Sequence, residues 1–203
     1  MTSSEIESLV QRTAGPQPWR RVLHAASGVL VAVALTIVDV SRATALAIIA
    51  AVVAVMVAMD VARLASPRAN ALFFTAFRHL AAPRDARGLA SSTWYALGIL
   101  ITVAAFALAA AVSGILVLAL ADPVASYGGR RWGRRPFLGG TLEGSALFAA
   151  VAFCVLAARH GPTVGALGTI ALALAERLSW PFDDNLAIPV VGGAAVTALE
   201  AFL

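Results

Sequence analysis

Residues 43–63 read ATALAIIAAVVAVMVAMDVAR, apolar throughout until Asp60 and Arg63 near the end. A helix needs about 20 such residues to cross the ~30 Å hydrocarbon core of a bilayer, and this run has that length. Six further apolar runs accompany it, at 23–40, 90–110, 112–127, 142–158, 163–177 and 186–203. Together they predict an all-α, polytopic integral membrane protein with about seven transmembrane helices. Several runs are shorter than a full crossing, which backbone lining a protein cavity tolerates better than backbone facing lipid. The weakest boundary is AVSG at 111–114, where spans three and four read either as two helices or as one bent element.

Composition agrees. The chain has 203 residues, 60% hydrophobic and 13% charged, with mean hydropathy +0.86; a soluble domain is about half apolar and about a quarter charged. A single transmembrane domain over 23–203 follows a short N-terminal segment, 1–22. In that segment a short amphipathic helix after Ser3 and Ser4 is expected to break at GPQP, residues 15–18. Glu5 and Glu7, with no leading basic residues, argue against a signal peptide. The lone Cys154 makes neither an internal disulfide nor a metal site.

All fifteen basic residues are arginine, and their placement orients the chain. One set of segments carries Arg12, Arg20 and Arg21; Arg63, Arg68, Arg78, Arg84 and Arg87; Arg130, Arg131, Arg134 and Arg135; and Arg177. The other carries Arg42 and Arg159 alone. The positive-inside rule then predicts a cytoplasmic N-terminus and cytoplasmic loops at 64–89, 128–141 and 178–185. The pI near 10.5 is thereby explained by topology, and no nucleic-acid partner is expected. Within the first loop Phe73, Phe74, Phe77 and Leu80 share a helical face, as in a helix lying in the membrane interface.

The acids need a separate explanation. Asp122 ends an apolar span, Glu143 opens the next, Glu176 closes the sixth, and Asp183, Asp184 and Asn185 precede the seventh. The predicted topology brings all of them to the cytoplasmic face, where ionisable groups at membrane depth point to function. The structural alternatives are that Asp184 or Asn185 caps the last helix and that Asp60 and Arg63 form an i,i+3 pair. Between them lies GGRRWGRRPFLGGTLEGS, residues 128–145. Magnesium takes one or two carboxylates plus phosphate oxygens, arginine forks grip phosphates, and glycine backbone approaches anions closely. A metal-bound polyphosphate suits all three, although positive-inside loops carry arginines for topology alone. A P-loop is excluded because the chain has no lysine, and His24, His79 and His160 lack the spacing of a zinc site.

Across ALADPVASYGGRRWGRRPFLGGTLEGS, residues 119–145, the chain resembles the CTP-dependent lipid kinases: dolichol kinase, phytol kinase and the yeast-type diacylglycerol kinase. The matching residues are Asp122, Ala125, Gly129, Gly133, Thr141, Glu143, Gly144 and Ser145. A second block, AERLSWPFDDNLAIPVVGG, is similar at Glu176, Asp183, Asp184, Asn185 and Pro189, and a third, RRVLHAASG, at Arg21, His24 and Gly28. Asp60 with Arg63, Asn70 with Phe73 and Phe74, and Arg84 with Asp85 are fainter echoes. The resemblance implies transfer of the γ-phosphoryl of CTP to a lipid alcohol (polyprenol, phytol-like or diacylglycerol), with Mg²⁺ as cofactor. It implies catalytic roles for Asp122, Glu143, Asp184 and His24, and metal binding by Asp122, Glu143, Asp183 and Asp184. Nucleotide binding would fall to Gly129, Arg130, Gly133, Arg134, Arg135, Thr141, Gly144, Ser145 and Asn185. The family's lysine before the Thr-x-Glu-Gly segment is here Gly140, so Arg134 or Arg135 is expected to replace it. Phosphatidate cytidylyltransferases share the Glu-Gly segment and are the alternative enzyme. A small ion-coupled transporter is the non-enzyme alternative.

Overall fold

The computed structural model describes residues 3–13, 15, 17–178 and 183–203. A short helix α1 (Ser3–Arg12) precedes α2 (Pro18–Ile37), α3 (Arg42–Ala65), α4 (Pro67–Ala76), α5 (Ser91–Ala105) and α6 (Leu108–Trp132). A two-residue hairpin, β1 (Pro136–Phe137) with β2 (Gly140–Thr141), leads into α7 (Leu142–His160), α8 (Pro162–Leu178) and α9 (Asp184–Phe202). Among the described residues five helices, α2, α3, α6, α7 and α9, are long and apolar enough to cross a membrane. α5, with 15 residues, is apolar but short, and α8 has 17.

α6 is the axis. It packs against α2, α5, α7 and α9, and Ala111, Ile115, Val117, Leu118, Ala119 and Ala121 are wholly buried along it. Small residues let neighbouring backbones come close, the usual device for helices in lipid. At Gly192 of α9 an added Cβ would lie 2.8 Å from the Gly114 Cα of α6. Leu30, Ile48, Val55, Ile170 and Phe202, by contrast, are exposed on the outer helices, as expected of a surface facing acyl chains.

Three expected boundaries are corrected. Residues 111–114 lie within α6, and the break between spans three and four falls at Phe106–Ala107 instead. Arg42 of α3 sets it there: Nη2 donates to the carbonyls of Val103, Ala104 and Phe106 at 2.7, 2.9 and 2.9 Å. These are the orphan acceptors that a helix end leaves. The loop expected over 128–141 begins only at Gly133, because α6 runs on through Pro123 to Trp132. The third loop, 178–185, falls partly on 179–182, outside the described residues, and α9 has already begun at Asp184. The aromatic helix of the first loop exists as α4, but it ends at Ala76 before Leu80, and Phe74 is buried against the fold.

Two polar clusters hold opposite ends. Near the start of α5, Asp60 accepts from Arg63 Nε (2.6 Å), Ala90 N (2.8 Å) and Thr93 Oγ1 (2.7 Å). Arg63 donates onward to Asn70 Oδ1 and to the carbonyls of Asp85 and Gly88, while Asp85 accepts from Ala82 N and Ser91. A buried ion pair costs more than it returns unless its remaining lone pairs are satisfied. Here they are, and the network joins α3, α4 and α5. At the far end Ser113 Oγ of α6 meets His160 Nε2 of α7 at 2.7 Å, and His160 Nδ1 meets Glu200 Oε1 of α9 at 2.7 Å. Arg159 Nε also donates to Ser113 Oγ, at 2.7 Å.

Candidate active site at one end of the bundle

Asp122, Glu176, Asp183 and Asp184 gather where α2, α5 and α9 begin and α6 and α8 end. His24 sits about two turns into α2, its ring edge-on to Tyr95 of α5 at 4.4 Å between centroids. Its Nε2 lies 3.3 Å from the Leu118 carbonyl and 3.9 Å from Asp122 Oδ2. Tyr95 fixes the helix behind it by donating to the His24 carbonyl at 3.0 Å. Arg20, one turn earlier on the same face, is within Coulomb range of Asp122, Asp184 and Arg84. Arg21 Nε donates to Ser126 Oγ at 3.2 Å.

Asp122 is partly exposed, at 29% of its side chain, and His24 is its one short-range partner among the described residues. The charged groups acting most strongly on it from further off are Asp184, Arg20, Glu176 and Arg84. Asp183 caps α9, accepting from Asn185 N at 3.0 Å and Asn185 Nδ2 at 2.6 Å. Arg84 reaches Asp183 Oδ2 at 3.2 Å and Asp184 Oδ1 at 3.7 Å. Burial, with the hydrogen bond to Asp184, pushes the Asp183 carboxyl up to about 6. Glu176 Oε2 and Arg177 Nε approach to 2.5 Å as sequence neighbours. Their geometry makes no hydrogen bond, however, and both atoms are buried without one.

Glu143 belongs to a different group. Its Oε2 accepts from the backbone of Arg134 at 3.1 Å and Arg135 at 3.3 Å, stapling the arginine loop to the first turn of α7. It is absent from the groups acting most strongly on Asp122. Thr141 caps α7 by accepting from Gly144 N at 3.2 Å. Gly129 and Gly133 face that threonine, and a Cβ on Gly133 would come 2.6 Å from Thr141 Cγ2. Close packing of α6 on α7 therefore accounts for both glycines, whatever anion the loop meets. Arg130, Arg131, Arg134 and Arg135 are exposed, with no side-chain partner among the described residues. Ser145 Oγ is buried and unpartnered.

No family model, curated protein or solved structure matches the chain. The site rests on its own geometry.

That geometry adds Arg20 and Arg177 to the arginines singled out in the sequence, and gives Arg84, a fainter echo there, its partners. Arg20 was legible in principle, since it precedes His24 by four residues on one helix face. Arg84 meets Asp183 and Asp184 only through the tertiary fold. Arg177 stands against Gly140, where any Cβ would overlap its guanidinium, so Arg177, rather than Arg134 or Arg135, fills the space of a side chain at 140. Asp60, Arg63 and Asp85, by contrast, are fully engaged in the structural network.

Among the described residues no three His, Cys, Asp or Glu side chains converge into a ready metal site. Magnesium does not need one: it binds through one or two carboxylates with the rest of its shell from phosphate and water. Asp184, at the α9 N-terminus, with Asp183 beside it as the cap, fits that smaller role, and Asp122, with one weak partner, is left free to take a proton.

Proposed function

We propose that this chain is a membrane enzyme transferring the γ-phosphoryl of CTP to a lipid alcohol. In this reading α5 and α8 complete seven crossings, and the arginine-rich end of the bundle faces the cytoplasm. The observation that carries it is the gathering of Asp122, Glu176, Asp183 and Asp184 with His24, Arg20 and Arg84 at one end of an apolar bundle. A transporter's acids would be expected near mid-membrane.

Phosphoryl transfer asks a protein for positioning and charge neutralisation. The exposed guanidiniums of Arg130, Arg131, Arg134 and Arg135 bind the triphosphate on a loop held by the Glu143 staple, and the largely buried Arg177 backs them from α8. Asp122 accepts the hydroxyl proton of the lipid, His24 orients that hydroxyl, and Asp184 with Asp183 would hold Mg²⁺. Bound magnesium supplies neutralisation of phosphate charge. The lipid oxygen forms a bond to the γ-phosphorus as the bond from that phosphorus to the β,γ-bridging oxygen breaks, and CDP leaves.

Purified protein given CTP labelled at either the α- or the γ-phosphorus, with a lipid extract, tests this. Label from the γ-position in lipid, with CDP released, is the expected result. Label from the α-position, with pyrophosphate released, would instead identify a cytidylyltransferase, and no labelled lipid from either would refute both.

A further inference from the structure

A cavity of about 670 Å³ opens between α2, α3, α4 and α5. α2 packs on α6, whereas α3 packs on α4 and α5, so the two helices flank a slot. Leu23, Met59, Leu72 and Phe77 line it and are 40% to 69% exposed. Polar residues of the back wall, Asp60 among them, have their hydrogen bonds turned into the network described above, so the wall offers little polar chemistry. The cavity follows α3 only from Met56 to Arg63, about 10 Å at ~1.5 Å per residue, and so lies at the acid-bearing end.

There its character changes. Arg20 and His24 form part of the lining, and His24 Nε2 is 3.9 Å from Asp122 Oδ2. One side chain thus separates the cavity from the acid cluster. An apolar body with a single polar end matches an amphiphile with one chain. The volume equals about twenty water-sized groups at ~30 Å³ each, more than a short alcohol fills and less than two full acyl chains. We infer that this cavity holds one hydrocarbon chain of the substrate lipid, with its hydroxyl at His24, an inference that rests on the proposed reaction at the acid cluster.

The test uses the full chain in phosphatidylcholine nanodiscs, irradiated with a diazirine-bearing single-chain primary alcohol of about twenty carbons, the size taken from the cavity volume. Adducts are expected on the α3 and α4 peptides carrying Met59 and Leu72. Ala62→Trp and Ala76→Trp, both at exposed lining positions, should cut adduct yield at least ~5-fold. They should also raise KM for the alcohol while KM for CTP stays unchanged, because they fill the slot that the chain would occupy. Unchanged thermal unfolding checks the fold, and if a variant unfolds, the adduct map of the unaltered protein decides. Adducts spread over α7 and α8, or phosphorylation with tryptophan variants of normal KM, would overturn the cavity and leave the proposed reaction standing. Adducts within the cavity without any phosphoryl transfer would support the cavity and count against the reaction.

Discussion

Asp122 and Glu143 look alike in sequence, each an acid at the edge of an apolar span, but their surroundings assign them different work. Asp122 has no strong hydrogen bond to lose, so Asp122→Asn should leave the fold intact and lower kcat by at least ~10²-fold, the scale for loss of a charged group acting in the transition state. Asp184→Asn should do the same. Glu143→Ala removes the acceptor of the Arg134 and Arg135 backbone N–H groups and should raise KM for CTP more than it lowers kcat. Steady-state kinetics on the three variants checks this, and equal kcat losses in all three would refute the division. At position 140 the expected outcome follows from Arg177. Gly140→Lys drives a second cation into the Arg177 guanidinium and should lower activity, and adding Arg177→Ala should restore part of it. Without the fold, the glycine read only as a missing cation, because nothing in the local sequence brings α8 to that point.

Helix content was legible because long apolar runs carry it, and so was the break after α1, where Gly15 and Pro18 stand. The Phe106–Ala107 break was not. Its sequence, VAAFALAA, has neither glycine nor proline, and the device that stops α5 is a guanidinium some sixty residues earlier in the chain. Arg42→Ala should therefore release three carbonyls and lower stability by roughly 1.5–3 kcal/mol, the range for hydrogen bonds to charged groups. Thermal unfolding in detergent measures it, and an unchanged midpoint would show that the break has another cause. For the same reason the acids were legible as candidates but not as a cluster. Asp122 and Asp184 are both visible as polar residues at span ends, whereas the two groups into which the acids divide appear only when α6, α7 and α9 are packed.

At the scale of the molecule, arginine counting and the fold describe one asymmetry. Arg42 and Arg159 lie at the end where α3 and α6 begin, and Arg20, Arg63, Arg84 and Arg177 lie at the other. In a Cys154→Ser background, Arg131→Cys should react with an impermeant thiol reagent only from the cytoplasmic side and Arg159→Cys only from outside. Reversed labelling would place the acid cluster on the wrong side of the membrane for cytoplasmic CTP.

The Ser113–His160–Glu200 chain has a mechanical consequence. It ties α6, α7 and α9 like a rivet at the end remote from the acids, while Gly129 and Gly133 pack α6 on α7 at the other, so those two helices tilt together. From His160 to Glu143 along α7 is roughly 25 Å at ~1.5 Å per residue. A tilt of about 5° around that rivet carries the arginine loop through about 2 Å, the difference between a guanidinium touching a phosphate and one with water in between.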